Sequence, residues 1–179
     1  MEAQTKDIWN IDAGHSAVQF KVKHLAIAYV NGTFDHFKGT ISNLAGQDDF
    51  HVAEINFEIE AGSLNTNNQK RDDDLRSEVF FGVQQYPVIS FKGILWKEGS
   101  TYQLIGNLSI RDKIKEVKLE VCFYGIGKGR FGDTRAGFEL NGKINRKDFG
   151  LTWNMFTEAG GLIIGEDIKL HMDVELIKE

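Results

Sequence analysis

The chain has 179 residues, with 26 acidic against 21 basic side chains and a formal charge of −5. That balance, with no basic block to offset it, argues against a nucleic-acid partner, whose phosphates are held by Lys and Arg. One cysteine, Cys122, excludes an intrachain disulfide, and no apolar run approaches the ~18 residues of a membrane span, so no stable membrane insertion is expected. The length suits a single domain over 1–179 with a core of its own. The opening MEAQTKDIWN lacks the basic-then-apolar layout of a signal peptide. That predicts a soluble, cytoplasmic chain as given, or a periplasmic one if this is a processed form. Nineteen glycines and 13 phenylalanines against one proline point to a β protein with tight turns and bent strands.

Trp9 and Ile11 alternate in a short lead-in and are placed to plug one end of a core. From Ala17 to His24 the alternation is clean: Val18, Phe20, Val22 and His24 share one face, and Gln19, Lys21 and Lys23 the other. His24 on the apolar face reads first as a hydrogen-bonded core group and second as a metal ligand. Between Tyr29 and Leu44, Gly32 and Gly39 predict bends or bulges, and Phe34 and Phe37, three apart, predict a bulge between them. Residues 46–49 read as a turn. Ala53, Ile55, Phe57, Ile59 and Ala61 then oppose Glu54, Asn56, Glu58 and Glu60. One buried and one wet side is the mark of an antiparallel sheet.

The segment from Ser63 to Phe91 is the helical interruption. Thr66 and Gln69 have capping-box spacing, which predicts a short helix from Lys70 to Arg76. Its charges would face water, Leu75 would face inward, and an Arg71–Asp72 pair would hold it to the barrel. Ser77 can cap a second turn carrying Val79, Phe80 and Phe81, which need a sheet or barrel mouth to cover. Pro87 forces Tyr86 extended and starts a strand.

Strand patterns resume with Ile89, Phe91 and Leu95, then Tyr102, Leu104, Leu108 and Ile110. Val117, Leu119, Val121 and Phe123 follow, opposed by Lys118, Glu120 and Cys122. GIGKGRFGD from Gly125 reads as a mobile hairpin connection, since it lacks the Gly-Lys-Ser/Thr ending of a phosphate loop. Ala136, Phe138, Leu140 and Ile144 come next, then a turn with an Arg146–Asp148 pair. An apolar stretch holds Trp153, Met155 and Phe156, and the last strand runs from Ile168 to Leu176. About eight alternating strands at hairpin spacing, each with one apolar face, predict a closed antiparallel β-barrel without exposed edges. Such a barrel is either filled by side chains or holds one small ligand.

The five histidines show no metal-ligand spacing, and neither HExxH nor CxxC occurs. A zinc site assembled from His15, His24 and Asp72 is the one distant grouping to test. His15 and Ser16 are adjacent and so point to opposite faces of a strand, which argues against a dyad, and no G-x-S-x-G elbow exists. The inward faces carry no repeated carboxylates. A binding module is therefore favoured over an enzyme, with no catalytic residue, metal or cofactor expected.

The blocks WNIDAGHSAVQFKVKHLAI, VNGTFDHFKGTI, SLNTNNQKRDDDLRSEVFF, LIGNLSIRDKIKEVKL and NRKDFGLTWN together resemble the YceI-like family of lipocalin-like, polyisoprenoid-binding proteins, from about Trp9 to Leu176. The resemblance implies an all-β fold, an extended lipocalin-like antiparallel barrel of about eight strands with a short helical insertion. It implies an apolar tunnel for a polyisoprenoid, isoprenoid quinone or fatty-acid-like ligand, periplasmic secretion in many members, and a homodimer. The family's His-Ser pair falls on His15 and Ser16, its second His on His24, its Thr-Asn-Asn block on Thr66 to Asn68, and its Arg-Asp pair on Arg71 and Asp72. Asp74, Val79, Gly82 and the turn after Arg111 depart from the residues usual in the family, all around the expected mouth.

The ligand's tail is expected among Phe20, Val22, Phe57, Phe91, Leu104, Leu119, Val121, Phe138 and Leu140. Phe80, Phe81, Trp153 and Phe156 would close or line an end, and His24 and Arg71 would supply polar contacts. Burial at ~25 cal/mol per Å² of apolar surface gives such a tail useful affinity without strong polar contacts. Two rivals stand beside this reading: an enzyme acting on a lipid or quinone through His15, His24 or the Asp72 cluster, and a packed barrel serving as a stress-related interaction scaffold.

Overall fold

The computed structural model describes residues 5–44, 46, 49–155, 157–161 and 163–179. Among the described residues there are eleven strands: β1 Lys6–Ile11, β2 Ala17–His24, β3 Ala28–Phe34, β4 Phe37–Leu44, β5 Val52–Glu60, β6 Leu64–Asn65, β7 Val88–Glu98, β8 Thr101–Ile110, β9 Lys113–Lys128, β10 Thr134–Asn145 and β11 Ile164–Lys178. One α-helix, α1, spans Gln69–Arg76. All pairings are antiparallel, and eight strands, β1-β4-β5-β7-β8-β9-β10-β11, close into a ring through the β1–β11 contact.

The other three strands extend that ring at one end. β11 pairs β1 near Leu176 and β2 from Asp173 to Ile164, so β2 continues the course of β1. β3 lies beside β2, and β6 beside β3. Among the described residues β6 pairs with nothing on its far side. The barrel is therefore a closed ring at one end, the base, and split between β6 and β7 at the other, the mouth. α1 belongs to that split: Arg76 ties it to the rim by donating to the carbonyls of Gly62 and Leu64, at 2.9 and 2.8 Å.

Alternation sets the walls as expected; along β5, Ala53, Ile55 and Ile59 are buried while the glutamates are exposed. At the base Trp9 and Phe50 are fully buried. The Trp9 indole N–H donates to the Asn43 side-chain carbonyl at 3.0 Å. Phe50 packs on Trp9 at 5.1 Å and edge-on to Phe138 at 5.1 Å, and Phe123 stacks on Phe138 at 4.8 Å. The base is a packed aromatic plug.

Several local readings are corrected. The helix is capped by Asn68, whose side chain accepts from the Arg71 N–H at 3.0 Å, while Gln69 bonds Asp73. Thr66 lies two residues too early to be the cap. Ser77 ends α1, and the 78–81 segment is a set of turns rather than a second helix. The chain between Phe34 and Phe37 breaks into two strands, with Asp35 and His36 bonded to Ser63, in place of a bulge. Gly32 and Gly39 mark no bulge, since the β2–β3 and β4–β5 registers run through them unbroken. A Cβ on Gly32 would lie 2.3 Å from the Phe20 ring, and one on Gly39 2.9 Å from Phe57. Each glycine makes room for the ring of its cross-strand partner. The 129–133 connection is a hairpin closed by the Gly129 N–H on the Asp133 carbonyl at 2.8 Å. The turn over 46–49 lies partly outside the described residues.

Candidate functional site

The barrel is hollow. Above the aromatic plug a cavity of about 650 Å³ runs toward the mouth, inside the ~300–1,000 Å³ usual for small-molecule sites. Its wall is made by the inward residues of the long strands. Phe20 and Val22 come from β2, Phe57 from β5, and Phe91 from β7. Leu104 comes from β8, Leu119 and Val121 from β9, and Phe138 and Leu140 from β10. Phe80 and Phe81 from the turns after α1, and Trp153 from the 151–155 segment, line the mouth, with Trp153 edge-on to Phe80 at 5.3 Å. Phe156 lies outside the described residues.

The lumen stays open because large rings lie over glycines in the wall. Phe20 covers Gly32, and Phe91 covers Gly93 and Gly106, where an added Cβ would come within 2.8 Å of its ring atoms. A ring laid along the wall leaves the axis free, whereas a side chain at the glycine would push it inward. Phe20 faces Gly32 directly across β2 and β3, whereas Phe91 lies over Gly93 of its own strand and over Gly106, diagonal to it on β8.

Polar groups of the lining gather at the mouth. His24 ends β2 there and is exposed, so it is not a core histidine; among the described residues nothing hydrogen-bonds its ring. Arg71 lines the cavity from α1. Its Nε donates to the Thr66 hydroxyl at 2.7 Å and one terminal nitrogen to the Thr66 carbonyl at 2.8 Å. The same hydroxyl donates to Asp72, whose carboxylate also accepts the Thr66 N–H at 3.0 Å. Arg71 and Asp72 thus meet through Thr66, not as a direct pair. Asp72 is buried at 6 % exposure, while Asp73 and Asp74 face water, so the fully solvated helix face is corrected at this one carboxylate.

Arg146 is the residue the sequence reading misplaced most. It is 3 % exposed, and instead of pairing with Asp148 it donates to the carbonyls of Leu151, Trp153 and Gly165, at 2.5, 2.9 and 2.9 Å. Burial pushes its pKa down, with Glu166 opposing; a guanidinium titrates far above neutrality and remains charged. Charge-assisted bonds to three carbonyls latch the 151–153 segment to β11. The β10 alternation Phe138, Leu140, Gly142, Ile144, extended one step, would have pointed Arg146 inward.

The grouping of His15, His24 and Asp72 does not form. His15 and His24 lie at opposite ends of β2, and Asp72 is committed to Thr66. A different group, Asp12, His15 and Glu175, brings ligand atoms within 4.8 Å of one another. The Arg135 guanidinium already bonds both carboxylates there, and His15 Nδ1 is 2.8 Å from Asp12. The bond to His15, with that to Arg135, holds the Asp12 pKa below the usual carboxylate range. A cation in the centre of the group leaves no place for a metal.

Fold and cavity together define a class: an eight-walled antiparallel β-barrel with one packed end, one split end and an apolar interior. The YceI-like domain model matches residues 9–176, and the chain belongs to that family. UPF0312 protein SAS2572 of Staphylococcus aureus is 32% identical over 168 residues, covering 93% of this chain and 95% of that protein. The Campylobacter jejuni YCEI protein structure is 30% identical, with a TM-score of 0.70, covering 100% of this chain and 99% of that one. A polyisoprenoid binding domain from Saccharophagus degradans, 14% identical, shares the fold with a TM-score of 0.69, covering 96% of this chain and 98% of that one.

Proposed function

We propose that the chain, acting as one barrel domain over 1–179, binds a single long-chain amphiphile in the tunnel for storage or transport. The ligand class is a polyisoprenoid, an isoprenoid quinone or a fatty-acid-like molecule. The observation that carries this is the cavity of about 650 Å³, walled by Phe, Leu, Ile and Val and open at one end. An apolar cavity of that size has no favourable use for water and takes hydrocarbon instead. The polyisoprenoid binding named for the Saccharophagus degradans domain is in keeping with it. His24 and Arg71 sit where a head group would meet the rim. A binding role rather than turnover is supported by the commitments of the strongest polar groups: Arg146 to carbonyls, Asp72 to Thr66, Asp12 to Arg135.

Calorimetric titration with a polyprenyl quinone tests the reading. Saturable one-to-one binding is expected, with the tail-less quinone head group failing to bind. Removing one isoprene unit should weaken binding by roughly tenfold or more, since each buried methylene contributes ~0.8 kcal/mol. Equal affinity for the tail-less head group would contradict it.

A further inference from the structure

We propose that the β2–β3 side of the tunnel mouth docks on an anionic phospholipid bilayer, so that the tunnel loads directly from the membrane surface. Two features of that side carry the inference. The first is a row of lysines on the outer wall. Lys143 faces Lys169 across β10 and β11, and Lys169 faces Lys21 across β11 and β2. Like charges directly opposite in a sheet repel. Lys143 reaches Asp167 at 3.2 Å, but Lys21, Lys169 and, one step nearer the mouth, Lys23 have no carboxylate within ion-pair distance among the described residues. All three instead surround the Tyr29 ring, at 5.2, 5.2 and 5.8 Å from its centre. Other lysines, such as Lys6, Lys38, Lys97, Lys147 and Lys178, each meet a carboxylate, whereas Lys21, Lys23 and Lys169 share one aromatic ring and no counter-charge among the described residues. An uncompensated row is relieved by an anionic surface.

The second feature is an apolar rim beside that row. The β2–β3 turn passes through Leu25 and Ala26, both in the left-handed region at φ 53° and 59° and neither a glycine. It leaves Ile27 86 % exposed, with Leu25 and Tyr29 partly so. The Leu25 N–H bonds the Ile163 carbonyl at 2.8 Å, and the Ile163 N–H bonds the Met155 carbonyl at 3.0 Å. Exposed Met155 and Trp153 therefore continue the rim. Exposed aliphatic tips and a tryptophan beside lysines are the composition of a surface that lies in the head-group region. Of the exposed acidic residues near the mouth, Asp74 and Glu78 stand on the α1 side, Glu158 on the 157–161 turn, and Asp167 on β11, where Lys143 neutralises it. The unpaired charges of Lys21, Lys23 and Lys169 orient the contact: the β2–β3 turn and lysine row meet the bilayer, and α1 with Asp74 and Glu78 faces away. Lys23 and His24 line the tunnel at this edge, so the docked face and the entrance are continuous.

Docking rests on the surface alone; only the loading step rests on the carrier reading. Vesicle co-sedimentation with phosphatidylcholine, alone or mixed with phosphatidylglycerol, tests it, alongside uptake of a polyprenyl quinone delivered in detergent. The intact protein should bind the mixed vesicles, less so as salt is raised. The double variant Lys21→Glu/Lys169→Glu and, separately, Ile27→Asp should each weaken vesicle binding roughly tenfold or more, with quinone uptake from detergent unchanged. No binding to the mixed vesicles, or undiminished binding by both variants, overturns the proposal. Docking without quinone uptake would instead sink the carrier reading and leave the docking surface standing.

Discussion

At the base, Trp9 and Phe50 are sealed among aromatic rings inside a continuous ring of strand pairs. At the mouth, the ring is split between β6 and β7, and closure depends on side-chain bonds to backbone carbonyls, Arg146 to Leu151, Trp153 and Gly165, and Arg76 to Gly62 and Leu64. Packing at one end is apolar and dense; attachment at the other is polar and local. Local attachments open at lower free energy than a cooperative core. The difference assigns stability to the base and ligand entry to the mouth.

The sharpest way to break that division is Trp9→Ala. The fully buried ring, which does not line the tunnel, should cost about 3–5 kcal/mol on removal, seen as a large fall in Tm. Quinone affinity measured below the new Tm should be retained. Arg146→Gln should cost about 3 kcal/mol, because three buried carbonyls lose a charged donor. Its signature is faster hydrogen exchange at residues 151–155, with Trp9 protection unchanged. Leu140→Trp should fill the lumen and weaken quinone binding roughly tenfold or more, with cooperative unfolding retained, since the side chain grows into open space rather than into packed neighbours. Thr66→Val removes the hydroxyl that joins Arg71 to Asp72 and should cost about 1–3 kcal/mol, read as exchange in α1.

Acid gives the smallest and most selective effect. Asp7, bonded to Lys178, and Asp12, bonded to His15 and Arg135, both have pKa values lowered by those partners. A folded pKa below the unfolded one means stability that is complete above the unfolded value, near ~3.9, and is lost as pH falls through the folded value. Both groups belong to the base end. The Arg146 latch uses carbonyls, which do not titrate. Lowering pH below about 4 should therefore speed exchange at the β1–β11 seam before it affects the 151–155 segment.

Much of the fold was legible because alternation is a direct record of which face is buried. β5 shows it: from Ala53 to Glu60 its apolar residues turn inward and its acidic residues turn to water. The same logic located the tunnel wall from Phe20 to Leu140. What was not legible came from pairings between distant strands. Gly32 reads as a bulge until Phe20 is known to lie opposite it, and Arg146 reads as half of a turn pair until the β11 carbonyls are seen beside it. The cap at Asn68 was missed because Thr66, Asn67 and Asn68 are all competent caps, and only the commitment of Thr66 to Asp72 and Arg71 decides among them. The hollow interior follows from ring orientation over glycine, which composition does not fix.

The most direct test of the central claim is native mass spectrometry of the freshly purified protein, followed by organic extraction and lipid identification. A stoichiometric long-chain species, lost on Leu140→Trp, is the predicted result. An empty protein that also fails to take up an added polyprenyl quinone would contradict the carrier account and favour the barrel as a scaffold.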